Sequence, residues 1–519
     1  MFLDNLPLFG EEKYFNEVVN SGRRIISIFN TTKESFCEYK KLIEDNGFST
    51  EEKRKDEKLD FIAYKKGDSG IFVNYFFGTN ELQIVTEEKC NYFDFCDKCG
   101  ENIVSPQITQ VHLEDFGMSY AIRLSDGRFI IIDGGMEFVP DAKRLFECLK
   151  NGSPFNRPII AAWIMSHPHS DHFHCFMPFM ELFADEVIVE KMMFNFPEAN
   201  DLVHYPALDE QDPRFKDNAE TIFLPKFLRK IEQLGIPVYT PHTGQSYTIG
   251  DARLCVLASM DDTMHCSQDI NASSLVIKME LGEQTILWTA DASFRDARLC
   301  QRYGNQLKAD ILQIPHHGFS CGCSEDEIEG FELINPDVCL LPVINFNAFT
   351  VMGIYRESTL HIMTRMRVSE LITGDNTTTI TLPYSPISWG KEELRQNVDE
   401  GFKRAGAKNW IFTDLSTSKQ EDFIFTFLNA AGSTAEINAE LFFEDPNQRI
   451  RFIKITVPEG CFKTAYIIDA KDVQSETHYF NCSSLETMGI PQNAPFAVRF
   501  ISNFPVVISK KGHEAAYKA

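Results

Sequence analysis

The segment Ser166-His167-Pro168-His169-Ser170-Asp171-His172 sets three imidazoles and a carboxylate directly behind an apolar run. Neutral histidine nitrogen and carboxylate oxygen suit zinc, manganese or iron better than calcium or magnesium, so this pattern points to a bound transition metal. Pro168 stiffens the turn, which lets His167 and His169 converge on one ion while Asp171 and His172 face a second position. A surface loop that collects histidines by accident is the competing explanation. The chain holds 13 His in 519 residues, yet His167, His169, His172 and His174 fall almost together, which argues against accident. The elements that must hold these groups begin with Pro158-Ile159-Ile160-Ala161-Ala162-Trp163-Ile164-Met165. Its length and content are those of a buried strand, and ligands just past a strand end sit on rigid scaffold.

Other segments repeat the arrangement of strand followed by chemistry. Ser125 to Gly135 reads as a hairpin turn, a buried strand and then Asp133-Gly134-Gly135. Thr285-Ile286-Leu287-Trp288-Thr289-Ala290-Asp291-Ala292 puts a carboxylate at a strand end, and Asp310-Ile311-Leu312-Gln313-Ile314-Pro315-His316-His317-Gly318 puts a histidine pair there. Together with Val111 to Leu124 and Glu370 to Thr381, these motifs in this order resemble the metallo-β-lactamase superfamily. Their wording is similar to the metallo-hydrolase module of ComEC-type competence proteins, over about residues 105–385.

The resemblance implies an αββα sandwich, two β-sheets with helices on the outer faces, whose strand-end motifs meet at one edge. It implies a ligand set of His167, His169, Asp171, His172, Asp291 and His316 for one or two divalent transition metals, zinc or manganese, with iron a further option. Asp133 is then the acidic residue beneath the metal-binding loop, orienting a histidine or the nucleophile. Adjacent side chains diverge, so His316 is expected to ligate and His317 to stand beside it and contact an oxyanion. Asp171, Asp133 and His317 make up the expected catalytic group. One departure stands out: where most members supply a third histidine to the first metal, this chain has Asp269 to Val276, with Asn271 near the expected place. An amide oxygen is a poorer zinc ligand than imidazole, so that site should be weaker or tilted towards manganese. His265 is the substitute candidate.

A divalent cation brings the pKa of a bound water from about 16 towards 7, so the expected reaction is hydrolysis through metal-bound hydroxide. A phosphodiester or phosphate ester is the first substrate class, because a two-metal site suits its charged transition state. Lactone or β-lactam hydrolysis is the enzyme alternative, and a catalytically idle metal-binding scaffold with partner-binding flanks is a third reading.

Composition sets outer limits. The length calls for two or three domains and the 43% apolar content for a globular chain. No apolar run approaches the roughly 18 residues of a membrane span, and Met1 to Pro7 shows no signal-peptide pattern, so a cytoplasmic location is the expectation. The formal net charge of −25 and the absence of a basic stripe near the motifs favour a small-molecule or phosphate-ester substrate over nucleic acid. Lys53-Arg54-Lys55 is interleaved with Glu51, Glu52, Asp56 and Glu57, as on a solvated helix or loop face. The 14 cysteines are scattered, and reduced thiols are the simplest account of them. Cys96-Asp97-Lys98-Cys99 with Cys90 nearby is at most half a zinc knuckle, since closed sites want four ligands and no second CxxC follows. Cys321-Gly322-Cys323 is expected in a loop just beyond the histidine pair.

Two flanks complete an α/β multi-domain chain. Residues 1–100 predict a small α+β domain: a strand at Ile25 to Phe29, then a helix opened by the capping box Thr31-Thr32-Lys33-Glu34 and stopped at Asn46-Gly47, with Phe36, Tyr39 and Leu42 inward. Three half-buried strands follow, at Leu59 to Tyr64, Gly70 to Phe77 and Glu81 to Val85. Residues 390–519 predict a helix from Lys391 to Arg404 and then a β-rich accessory domain with runs at 450–457, 464–469 and 496–501.

Overall fold

The apolar run ahead of the histidines forms the strand Ile159–Ile164, buried from Ile160 onward. It runs parallel to Phe129–Asp133 on one side and to Met192–Met193 on the other, and strands enclosed in this way read as continuous apolar runs. They belong to an eight-stranded sheet with the order Val238–Tyr239, Met192–Met193, Ile159–Ile164, Phe129–Asp133, Ser119–Arg123, Gln107–Gln110, Thr378–Thr381, and Ile188–Val189 paired to the side of Ile159–Ile164. The computed structural model describes residues 15–20, 23–97, 99–115, 117–197, 220–262, 270–295, 298–319, 325–343, 368–374, 376–385, 407–416, 420–429, 434–444, 451–458, 462–466, 493–510 and 517–518. These form a mixed α/β, multi-sheet protein in two compact units, Met1–Val343 with Glu370–Ser385, and Ile344–Ser369 with Pro386–Ala519.

Side chains alternate along a strand, so Phe129 and Ile131 face away from Ile130 and Ile132. Phe129 and Ile131 share a core with Trp163 and with Leu145, Leu149, Phe176 and Phe179 of the helices Val139–Gly152 and Phe176–Phe183. On the other face Tyr120, in register with Ile132, packs against Trp288 of a second sheet, ring centroids 4.9 Å apart. That sheet has seven strands in the order Ser246–Ile249, Ala252–Ala258, Val276–Leu281, Gln284–Trp288, Ile311–Gln313, Val338–Leu341, Glu370–Thr373. From Gln284–Trp288 onward its strands are parallel, so Trp288, Gln313, Leu341 and Thr373 end at one edge. Parallel sheets carry their chemistry past the carboxyl ends of the strands. The segments behind Asp133, Ile164, Trp288 and Gln313 are those that carry the candidate ligands.

The N-terminal segment adds a six-stranded antiparallel sheet, ordered Phe15–Asn20, Arg23–Ile28, Glu81–Glu87, Ser69–Phe76, Leu59–Lys66, Ser49–Lys55. The helix Lys33–Asp45 packs on it and stops at Asn46 and left-handed Gly47. Its cap is Thr32, whose hydroxyl accepts from the Ser35 amide at 3.2 Å, one residue later than the expected box. The inward residues are Phe36, Tyr39 and Ile43, because Ile43 and not Leu42 falls under the 3.6-residue stripe. The charged stretch expected to be a solvated face is the edge strand Ser49–Lys55, where charge blocks further pairing.

This sheet joins the seven-stranded one through buried polar contacts. Arg302 donates to Glu81 at 2.8 Å and to Asp262 at 2.6 Å, Gln83 donates to Asp262 at 2.8 Å, and Asn74 donates to the Thr243 carbonyl at 2.8 Å. In the second unit seven antiparallel strands enclose a core that includes Phe423, Phe425, Phe427, Phe496 and Phe500. The long strand Pro495–Lys510 pairs with Ala407–Ser416 and Ala435–Phe443 early and with Ile424–Leu428 late. The helix expected over 391–404 lies outside the described residues, as do parts of the runs at 450–457 and 464–469.

Candidate metal centre

Asp133 ends its strand fully buried, with a left-handed φ of 56°. Its carboxylate accepts from the Ser166 amide and hydroxyl, both at 2.7 Å, and from His172 Nδ1 at 2.8 Å. A proton held on Nδ1 makes Nε2 the nitrogen that His172 turns to the cluster and would offer to a metal on losing its own proton, the usual service of a carboxylate behind a metal-binding histidine. Ser166, to which the sequence reading assigned no role, therefore ties the ligand loop to the strand beside it. Gly117 holds the loop from the front: the Met118 amide donates to the Asp171 carbonyl at 3.0 Å, and a Cβ at Gly117 would lie 2.7 Å from that oxygen.

His167 Nε2 lies 3.0 Å from His169 Nδ1 and 3.7 Å from Asp291 Oδ2. His172 Nε2 is 3.2 Å from Asp291 Oδ2 and 3.2 Å from His317 Nε2, and His317 Nε2 is 3.0 Å from Asp171 Oδ2. Two sets emerge that could each hold an ion: His167, His169 and Asp291, and Asp171, His172, Asp291 and His317, with Asp291 common to both. Atoms bonded to one ion at about 2.0–2.2 Å stand roughly 3–3.6 Å apart, so these spacings fit shared coordination. Asp291 Oδ1 is buried and is met by nothing nearer than His317 Nε2 at 3.5 Å, and a desolvated anionic oxygen so weakly satisfied suits a cation. The donor set fits a divalent transition metal.

Opposing charges decide the protonation of these groups. Burial disfavours a charged His172, but Asp291, Asp171 and Asp133 outweigh it and raise the pKa well above the histidine norm. His317 rises to about 9, burial being overcome by Asp291 and Asp171. Asp171 and Asp291 fall below the carboxylate range, because His172 and His317 more than offset burial. His167 moves down through burial with help from His172, and His316 moves down through burial that Asp291 only partly offsets. The carboxylates thus draw protons onto His172 and His317. A metal ion must displace them, so its affinity rises with pH.

The structure brings together His167, His169, Asp171, His172 and Asp291, with Asp133 behind them. For the pair expected as His316 ligand and His317 neighbour the geometry is the reverse: His317 is buried among the donors, whereas the His316 side chain is 33% exposed with Nε2 3.8 Å from Asp291 Oδ2. Both take left-handed backbone angles, φ 48° and 53°, as do Ala290 and Asp133. Non-glycine residues held there cost about 1–2 kcal/mol each and collect at functional sites. Asn271 lies in the turn Ile270–Ser273, which joins the ligand loop through the Leu275 amide and the Ser166 carbonyl at 3.0 Å. His265, Cys321 and Cys323 lie outside the described residues. Cys96 and Cys99 are exposed, Cys90 is buried, and among the described residues these thiols form no metal-ligating group. Among the described residues no helix is long and apolar enough to cross a membrane.

No protein-family model matches the sequence, and no curated protein does. Among solved structures, a β-lactamase domain protein from Burkholderia ambifaria is a distant match at 13% identity over 61% of this chain and 80% of that one, with a TM-score of 0.24. The Anabaena sensory rhodopsin transducer matches at 20% identity over 20% of this chain and 96% of its own, TM-score 0.16. Thermotoga maritima 1070 matches at 20% identity over 22% and 91%, TM-score 0.14. At these scores the likenesses carry no argument about fold or function.

Proposed function

We propose that this chain is a metal-dependent hydrolase with an αββα sandwich of the metallo-β-lactamase kind, acting on a phosphodiester or phosphate ester of a small molecule. The carrying observation is the meeting of His167, His169, Asp171 and His172, behind a strand of the eight-stranded sheet, with Asp291 and His317, behind strands of the seven-stranded sheet, at spacings suited to two ions. In this reading His167 and His169 would hold the first ion, with Asn271 the further candidate there, His172, Asp171 and His317 would hold the second, and Asp291 would be available to both. Bound zinc or manganese supplies Lewis acidity and a water acidic enough to ionise near neutral pH. Asp133 fixes the tautomer of His172 through Nδ1. His316, partly exposed, takes the place facing the substrate, so His316 and His317 exchange the roles expected from the sequence. Its imidazole is suited to donate to a non-bridging phosphoryl oxygen from Nε2. The net charge of −25 supports a small substrate over a long polyanion.

The test is turnover of bis-nitrophenyl phosphate alongside lactones and β-lactams, with manganese or zinc supplied. Phosphodiester release should depend on the metal, rise with pH, and drop by about two orders of magnitude or more in Asp171→Ala and Asp291→Ala. Wild-type rates in both variants would place the activity elsewhere. Release from a lactone or lactam alone would replace the substrate class, and inertness of the metal-loaded protein towards all three would leave the scaffold reading.

A further inference from the structure

Gln313 ends the strand Ile311–Gln313 as a fully buried polar residue in an apolar run, Ile311-Leu312-Gln313-Ile314. Its Oε1 accepts from the Thr289 amide at 2.9 Å and the Ala290 amide at 2.6 Å, while the Thr289 hydroxyl donates to the Gln313 backbone carbonyl at 2.7 Å. Its Nε2 donates to the Ile314 carbonyl at 2.6 Å and the Ala290 carbonyl at 3.3 Å. The Ala290 carbonyl also accepts from the His316 amide at 2.9 Å. The parallel ladder between Gln284–Trp288 and this strand pairs Ile286 with Ile311 and Leu287 with Leu312. Beyond it the side chain of Gln313 takes over the role of backbone pairing. That substitution lets the chain leave the ladder: Ala290 turns left-handed at φ 47°, the Ala292 amide closes a turn on the Thr289 carbonyl at 3.1 Å, and Asp291 is delivered to the cluster.

We infer that Gln313 is a positioning residue that locks the Asp291 turn and the His316-His317 turn into one rigid unit, so that the shared carboxylate and the buried histidine keep their separation. The inference rests on reading Asp291 and His317 as metal ligands. An apolar side chain at 313 strands the Thr289 and Ala290 amides in the core, and the strained turn at Ala290 loses what holds it. The damage falls on metal geometry more than on the fold, because the sheet pairing before Trp288 does not use the amide.

The test compares Gln313→Met and Gln313→Glu with Asn74→Leu, a variant of comparable buried polar loss at the N-terminal sheet. Manganese and zinc affinity are measured on folded protein by chelator competition, and hydrogen exchange is followed in peptides covering 285–294, 311–319 and 62–76. Gln313→Met should weaken metal binding about 10- to 100-fold, as loss of an outer support does. Gln313→Glu, which keeps the acceptor but sets an anion against two carbonyls, should fall between. Peptides 285–294 and 311–319 should lose protection together while 62–76 stays protected. Unchanged metal affinity in Gln313→Met, equal loss in Asn74→Leu, or exchange confined to 311–319 would each overturn the inference. If the unmutated protein binds neither metal, the proposed function falls, while joint loss of protection still upholds the lock between the two turns.

Discussion

Asp133 accepts three hydrogen bonds and is the residue on which the tautomer of His172 depends. Asp133→Asn puts one amide nitrogen where an acceptor stood. His172 Nδ1 then faces a donor, and the proton moves to Nε2, the atom that should offer a lone pair. We expect metal affinity to drop about 10- to 100-fold and stability to fall by about 1–3 kcal/mol, read by chelator competition and chemical unfolding. Unaltered affinity would show that His172 presents Nε2 without this carboxylate. At this scale most of the cluster was legible, since His167, His169, Asp171, His172 and Asp291 declare their chemistry by type and by their place behind apolar runs. The order of His316 and His317 was not. Which of two adjacent side chains points inward depends on φ, and their left-handed angles are imposed by the turn after Gln313, outside any local spacing rule.

Elements were readable where burial was complete and obscure where it was not. The strands Phe129–Asp133 and Ile159–Ile164 announce themselves as uninterrupted apolar runs. Ser49–Lys55 hides behind charges that an edge strand needs and a solvated helix would also carry. How elements dock depends on close approach that composition does not display. Gly244 has φ +91°, and a Cβ there would meet Asn74 Oδ1 at 2.1 Å and a Phe61 ring carbon at 2.6 Å. Its carbonyl also accepts from Arg54. Gly244→Ala should therefore weaken the seam between the six-stranded and seven-stranded sheets by about 2–4 kcal/mol, combining backbone strain with overpacking. Urea unfolding measures this, and a loss under about 0.5 kcal/mol would mean that the seam adjusts, well short of the overpacking cost.

Across the first unit, the same seam carries a buried histidine. His242 donates from Nδ1 to Asp261 at 2.6 Å, its Nε2 lies 3.5 Å from Glu87 Oε2 on the six-stranded sheet, and its ring stacks on Phe72. Burial lowers its pKa, but Asp261 and Glu87 overcome this and raise it to about 9. A histidine raised above its unfolded value, about 6.5, contributes stability that is complete below that pH and is lost as pH climbs through about 9. Asp261 is lowered, burial being outweighed by His242, so its contribution stands above its ordinary range and is lost in acid. The stability gap between wild type and His242→Gln should thus shrink by an amount on the order of 3 kcal/mol from pH 6 to pH 10. Chemical unfolding across that range decides it, and a gap independent of pH would show that His242 is held neutral.

By itself the sequence determined the chemistry on offer: imidazoles and carboxylates behind apolar strands, on a chain with a formal net charge of −25. Those properties belong to residue type and local pattern, which folding does not alter. Only the tertiary structure decided which atoms meet. Asp291 stands between two donor sets because parallel strands end together and Ala290 turns left-handed, and His317 turns inward while His316 stays at the surface. Gln313 gains its place from hydrogen bonds to another strand, and His242 gains its charge from carboxylates on either side of a seam. Such contacts arise from register, backbone angle and burial, quantities that exist only once distant segments have packed.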